Sequence, residues 1–273
     1  MSNFANFRQI WKHSRGFSRL KLAVAQASIT RPALRPLCRA FLRLMARSGM
    51  FWATCDTGYG EVRSSFRLSQ LESDVQGFLE VAIGDCYHLP QEFAPDLILD
   101  GGGNTGLFTI NALRRWPSAR AIIFEPVPDN IDRIQAHLKA NGLQAELEPL
   151  CLGAAPGTMK FYCREANQGS FSDDLPYNRE MDVQVTSLRP YLPTDPATKC
   201  LIKLDIEGAE LSVTPDIVGA LSENTIVVGE LHQREVNQQH FKEEIIGANR
   251  QIEFFDEGTC AMFHIQSRNA SFH

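Results

Sequence analysis

Three apolar runs in this sequence each end in a carboxylate, and each is followed by residues that turn the chain. They are Leu97-Ile98-Leu99-Asp100-Gly101-Gly102-Gly103-Asn104-Thr105-Gly106, Ile122-Ile123-Phe124-Glu125-Pro126, and Leu201-Ile202-Lys203-Leu204-Asp205-Ile206-Glu207-Gly208-Ala209-Glu210. Open α/β sheets bind ligands beyond the carboxyl ends of their strands. Read as strands, the three runs therefore place Asp100, Glu125 and the Asp205–Glu210 acids around one cleft. The glycines let a ligand come close to backbone there.

Gly101-x-Gly103-x-x-Gly106 matches the dinucleotide fingerprint, and Glu125 follows about twenty residues later, where an acid grips a ribose. A pyrophosphate at this turn wants a helix N-terminus and no anion nearby. Asp100 stands directly before the glycines. A carboxylate in that place suits a cofactor carrying ammonium and sulfonium groups and repels a diphosphate. The chain also lacks the second mononucleotide-binding half of a dehydrogenase. The reading is S-adenosylmethionine, held by Asp100, Gly101, Gly103, Asn104, Gly106, Glu125 and Pro126, with Cys151 and Leu152 at the next strand end. The rivals are an NAD(P)-dependent oxidoreductase and a non-catalytic binding protein on the same fold. Glu125 can accept charge-assisted bonds from both ribose hydroxyls. Asp129 is assigned the capping of the helix that follows. If the strand stays extended, alternation puts Lys203, Asp205 and Glu207 on one side, facing the cleft.

The chain that must position these residues has 273 residues, 44% of them hydrophobic, enough for one large α/β domain with a core. Beyond residue 55 strands and helices alternate. Strands are expected at 60–68, 78–83, 96–100, 120–125, 145–152, 200–206 and 225–231. Helices are expected at 106–115, 129–141 and 237–247. The segments 158–163 and 183–188 form a hairpin-like excursion, with Gly169-Ser170-Phe171-Ser172 in its loop. The segments 251–255 and 260–266 close the chain around the turn Asp256-Glu257-Gly258. The pattern predicts a mostly parallel, doubly wound sheet with an antiparallel last strand. This domain spans 56–273, and residues 1–55 form a basic helical extension.

That extension differs chemically from the rest. Residues 1–50 contain ten Lys or Arg and no acid, leaving 17 of the 27 basic residues to set against all 32 acidic ones. Phe4, Phe7, Ile10 and Trp11 recur at helical spacing, as do Leu34, Leu37, Phe41 and Leu44. Arg35, Arg39, Arg43 and Arg47 run beside the second stripe. The stripe can dock on the domain with its charges in solvent, or meet a membrane surface or an anionic substrate. An Arg-rich, acid-free beginning also resembles an organelle transit peptide. Seven scattered cysteines without a C-x-x-C pair point away from disulfides and structural zinc, and towards a reducing cytoplasm. No apolar run approaches the length of a membrane span, and no nucleic-acid partner is expected.

The motifs together resemble the FkbM family of S-adenosylmethionine-dependent methyltransferases. Asp100 to Gly106 matches its D-x-G-A-N-x-G, with Gly103 in place of the usual Ala. Phe124-Glu125-Pro126, Lys203 to Glu210 and Glu230-Leu231-His232 match its later blocks in order. The resemblance covers roughly residues 95 to 233. It implies a Rossmann-like class I methyltransferase sheet and methyl transfer, usually to a hydroxyl of a glycan or small-molecule natural product. Alignment of acceptor, methyl and sulfur then carries much of the work, and the hydroxyl must lose a proton. His232 is a candidate general base because imidazole titrates near neutrality. Asp205 competes for that role, Glu207 completes the candidate catalytic set, and Glu207 and Glu210 could position the acceptor. No metal is expected, because nothing in the spacing fixes a ligand set.

Overall fold

The computed structural model describes residues 12–163, 169–170, 179–220, 222–232, 234–247, 250–256 and 261–267. Phe4, Phe7, Ile10, Trp11, Phe171, Ser172, Glu257 and Gly258 lie outside them.

Seven strands form the main sheet: β3 (Leu97–Gly101), β4 (Arg120–Phe124), β5 (Glu146–Glu148), β10 (Cys200–Leu204), β11 (Thr225–Leu231), β12 (Arg250–Asp256) and β13 (Ala261–Ser267). Their order is β12-β13-β11-β10-β3-β4-β5. The pairs β10–β11, β10–β3, β3–β4 and β4–β5 are parallel, while β13 runs antiparallel between β11 and β12. This is the expected α/β sheet with its reversed last strand. Its central strands are buried on both faces, with Ile98, Leu99 and Ile202 fully covered, as continuous apolar runs require. The chain leaves β3 towards β5 on one side and resumes at β10 on the other, so the topological switch lies between β3 and β10. Gly101 pairs with Phe124 and with Leu204, which sets the three strand ends level.

The helices α4 (Leu107–Arg115), α5 (Pro128–Asn141), α6 (Glu210–Ala220) and α7 (Arg234–Gly247) cover the sheet. Gly142 closes α5 in the left-handed conformation, as Asn141-Gly142 predicts. Asp129 does not cap that helix. Val127 holds the N-cap position without a side-chain cap, and Glu125 Oε1 accepts the Val127 N–H at 2.9 Å.

Residues 145–152 do not form one strand. Pro149 follows β5 and has no N–H to continue a ladder. Beyond it the chain enters a second sheet of β6 (Cys151–Leu152), β7 (Gly157–Cys163), β8 (Gly169–Ser170) and β9 (Arg179–Thr186). There β7 and β9 form the expected antiparallel pair. Phe78–Ile83 is likewise no strand. It continues α3 (Leu71–Gly77) as a π-helical stretch. Leu71, Val75, Phe78, Leu79 and Ala82 are its buried hydrophobic residues, recurring at intervals of one, three and four, which is a helical period.

The first described helices, α1 (Gly16–Thr30) and α2 (Arg35–Met45), pack with the hairpin β1 (Met50–Asp56)–β2 (Glu61–Arg67). Leu22, Ala25 and Leu42 share one core with Phe51, Val62, Phe66, Ile110 and Ile134. Beneath this layer runs a buried polar belt. Arg133 of α5 donates to both oxygens of Asp74, at 2.9 and 2.8 Å, and Arg67 donates to the same carboxylate. His137 Nε2 meets Ser65 Oγ at 2.7 Å, and Asn141 bonds both backbone groups of Arg63 at 2.8 Å. Burial, helped by Arg133, pushes His137 down to about 4, which keeps it neutral. Among the described residues no helix is long and apolar enough to cross a membrane.

Burial alone would raise the Asp74 pKa, but Arg67 and Arg133 outweigh it and hold the carboxylate below its ordinary range. Its contribution is present above the unfolded-state pKa and is lost as pH falls through the depressed folded value. Asp74→Ala leaves Arg133 buried without its counter-charge. It is expected to lower the unfolding free energy by about 3–5 kcal/mol, read from the shift in urea midpoint at neutral pH, with a smaller loss near pH 3.

Candidate active site

The cleft opens over the level ends of β3, β4 and β10. It is lined by Gly102, Asn104, Phe124, Glu125, Pro126, Val127, Asn130, Leu150, Cys151, Leu152, Phe161, Asp205, Ile206 and Glu207. It encloses about 530 Å³ of non-atom space, part of it open to solvent. Of the residues expected to hold the cofactor, Asn104, Glu125, Pro126, Cys151 and Leu152 line it, as do the candidate catalytic residues Asp205 and Glu207.

Asp100, Gly101, Gly103 and Gly106 do not line the cleft. Asp100 is fully buried beneath the floor, 3.3 Å from Lys203 Nζ, and accepts the Thr109 hydroxyl at 2.6 Å. Its charge is balanced inside the protein by Lys203, and its side chain is not exposed to the cleft on which the sequence reading places it. The neighbouring glycines serve packing. A Cβ at Gly103 would collide with Ile123, and one at Gly101 would stand 2.8 Å from Leu152 Cδ1. Gly102 is the glycine that faces the cleft. Its φ of +81° is left-handed, and a Cβ there would strike the Asp205 carbonyl.

Lys203 holds this floor together. Its buried ammonium donates to the carbonyls of Gly101 and Gly102, at 3.2 and 2.7 Å, and stands 3.7 Å from Asp205. Burial pulls its pKa down, but Asp100 and Asp205 outweigh that and keep it above the ordinary lysine value. From the other side the Phe124 carbonyl accepts both the Gly102 and the Gly103 N–H at 3.0 Å.

Glu125 is almost wholly buried. Oε2 accepts the Asn104 N–H at 2.7 Å, and Oε1 accepts Val127 N–H at 2.9 Å and the Asn130 side chain at 3.2 Å. These bonds fix the carboxylate, and Oε2 keeps capacity for a further donor. Burial pushes Glu125 up to about 7 against the opposing pull of these donors. Around it Phe124, Val127, Leu152, Phe161 and Ile206 make an apolar slot. A slot of this kind beside a fixed acceptor fits a nucleoside, with the base between apolar walls and the ribose hydroxyls on Glu125.

The far end of the cleft is charged. Strand β10 stops at Leu204, so Lys203, Asp205 and Glu207 do not share one extended face. Glu207 has a left-handed φ of +57°, an uncommon state for a non-glycine residue and one often found at functional sites. Glu210 does not face the cleft. It is fully buried, and its Oε1 accepts Ile206 N–H, Gly208 N–H and His232 Nδ1–H at 3.2, 3.1 and 2.9 Å. It shapes the loop and orients the imidazole, whose Nε2 lies 3.4 Å from Glu207. Burial alone would push His232 down, but the bond to Glu210 and the surrounding acids carry it up to about 10. It is therefore an imidazolium at neutral pH. Burial and the nearby Asp205 charge push Glu207 up to about 7, against the pull of His232. Asp205, Glu207 and His232 each bring a ligand atom within 4.8 Å of the others. The imidazolium already supplies positive charge beside those carboxylates.

The family model for the methyltransferase FkbM domain matches residues 100–256. The chain belongs to this family. Its matched region contains both ends of the cleft. A relative is "Methyltransferase 1" of Beauveria bassiana, 29% identical over 157 residues, covering 49% of this chain and 63% of that protein. The FkbM-family chain thus spans less than two thirds of that relative's length. "Methyltransferase sdnD" of Sordaria araneosa is 25% identical over 188 residues, covering 55% of this chain and 71% of that protein. A precorrin-6y C5,15-methyltransferase from Geobacter metallireducens aligns at TM-score 0.44 and 11% identity, covering 68% of this chain and 87% of that one.

Sequence reasoning missed Tyr87, Phe161 and Leu150. The Tyr87 hydroxyl donates to Asp205 Oδ2 at 3.1 Å across 118 residues of sequence, a contact no local pattern signals. Phe161 was reachable, because it alternates with Cys163 as a buried residue of β7.

Lys203→Met removes the cation from beneath the cleft and leaves Asp100 buried and unpaired. It is expected to lower the unfolding free energy by about 3–5 kcal/mol in urea denaturation. The double variant Lys203→Met/Asp100→Asn should recover part of that loss.

Proposed function

We propose that this chain is an S-adenosylmethionine-dependent methyltransferase acting on a hydroxyl oxygen of a glycan or small molecule. The observation that carries the reading is the pairing of two unlike acids in one cleft. Glu125 is fixed by the Asn104 and Val127 N–H groups at the apolar end, and Glu207 stands 3.4 Å from His232 at the charged end. Membership of the FkbM family supports the methyl donor over a nicotinamide cofactor.

Bound in the cleft, S-adenosylmethionine would supply an electrophilic methyl group, the C–S electron pair remaining on its sulfur. Glu125 would hold its ribose hydroxyls, and the Asn104 backbone holds Glu125. Phe124, Val127, Leu152 and Phe161 exclude water around the base. At the other end an acceptor hydroxyl donates to the Glu207 carboxylate, and its proton passes to Glu207 as its oxygen takes the methyl group. A base with a pKa near the working pH is half ionised yet basic enough for this task. His232 is already protonated, so it serves as the cation that holds Glu207 in place, while Tyr87 and Lys203 hold Asp205.

Calorimetry with S-adenosylmethionine and with NAD separates the methyl donor from its rival, and tight binding of NAD alone would overturn the reading. Glu125→Gln is expected to weaken S-adenosylmethionine by about 1.5–3 kcal/mol, roughly ten- to a hundredfold, in a folded protein. Wild-type affinity should fall as pH drops through about 7 and Glu125 takes up a proton, whereas Glu125→Gln should show no such step.

Methyl transfer from labelled S-adenosylmethionine to a panel of hydroxylated sugars and small molecules identifies the acceptor class. With an acceptor in hand, Glu207→Gln is expected to lower kcat about 10²- to 10⁴-fold while donor affinity stays near wild type. Equal rates would remove Glu207 from the chemistry.

A further inference from the structure

Helix α2 keeps one apolar flank in water. Leu42 is fully buried and Phe41 packs beside the core, yet Leu37 is 72% exposed and Leu44 79%. Leu34, just before the helix, is 41% exposed. Leu37 and Leu44 are seven residues apart, so they project from nearly the same side of the helix. On the adjoining α1, Phe17 and Leu20 are 55% and 46% exposed. The helix therefore docks through Leu42, and the stripe of Leu34, Leu37 and Leu44 is left outward.

Charge indicates what meets this flank. The first fifty residues carry ten Lys or Arg and no acid, while the rest of the chain is strongly acidic. Arg35 is spent locally, donating to the Ser28 carbonyl at 3.1 Å and the Ile29 carbonyl at 3.5 Å. Arg39, Arg43 and Arg47 are exposed. A second copy of the same face would bring like charges together. An anionic partner gains from this face and is repelled by the remainder of the molecule, so the charge asymmetry also fixes orientation. Leucines that need a hydrocarbon phase beside arginines that need anions are the two requirements of an interfacial helix.

We propose that α2 is a peripheral docking helix for an anionic lipid bilayer. Leu37 and Leu44 enter the boundary between headgroups and acyl chains, and Arg39, Arg43 and Arg47 lie among the lipid phosphates. The helix rests on the surface and does not span it.

Flotation of the full chain with vesicles tests this. The protein is expected to float with phosphatidylcholine vesicles containing phosphatidylglycerol and to stay behind with phosphatidylcholine alone. High salt should release it, because exposed charges are screened. Leu37→Ser/Leu44→Ser changes exposed residues and should fold normally, with an unchanged circular dichroism spectrum and melting temperature, yet lose about tenfold or more in vesicle partition. Arg39→Gln/Arg43→Gln should lose a similar amount. Ile246→Ser, an exposed apolar residue on α7, should bind like wild type. Failure to float with anionic vesicles, or full binding by the folded leucine variant, would overturn the proposal. So would a wild-type dimer that ignores vesicles and that Leu37→Ser/Leu44→Ser converts to monomer, since the flank would then join copies of this chain.

Discussion

One buried ammonium underlies the arrangement of the cleft. Lys203 sits where β10 meets β3, among two carboxylates and two backbone carbonyls. An unpaired charge in that place would be prohibitive, and so would either carboxylate without it. Each member is tolerable because the others are present. The glycine loop follows from this, since carbonyls turned towards Lys203 leave their amides turned towards the Phe124 carbonyl and, through Asn104, towards Glu125. A second ion cluster, Asp74 with Arg67 and Arg133, does similar work for the layer of α3 and β2.

The cleft is graded from end to end. Glu125 lies among apolar walls and is raised by burial, and Glu207 is raised by burial together with a like charge. Both arrive near neutrality by different routes, and they are held differently. Glu125 is fixed by backbone N–H groups of its own turn and of the glycine loop. Glu207 faces His232, an imidazolium that is itself anchored by Glu210. A rigid acceptor suits binding, and a carboxylate that can change protonation suits proton transfer.

Much of this was legible in the sequence. The largely apolar strands expected at 96–100, 120–125 and 200–206 point to a parallel sheet, because strands buried on both faces admit little polar alternation. Their terminal acids marked the cleft. The errors came from contacts that are distant in sequence. Asp100 was read as facing a ligand because Lys203, its partner, lies on a strand whose adjacency only the sheet order reveals. His232 is a candidate general base from sequence alone, and the rise in its pKa depends on Glu210, Asp205 and Glu207 meeting in space. Asp129 was given a cap that Val127 does not need from it, since Glu125 reaches the same turn from before the helix. The apolar residues of 78–83 follow a helical period, and Pro149 breaks the strand expected at 145–152.

The pairing of Leu97 with Cys200, and of the residues after them, joins strands 103 positions apart. Everything between must be looped out before the central seam of the sheet can close, and closing so long a loop is entropically costly. During synthesis the glycine turn emerges roughly a hundred residues before the ammonium that will hold it. Until then its carbonyls and Asp100 have no cation, so the nascent chain cannot assemble the floor of its own cleft. The hairpin β1–β2 and the first helices can form earlier from neighbouring sequence. Closure of the cleft floor thus depends on strand order and not on the local strength of any motif.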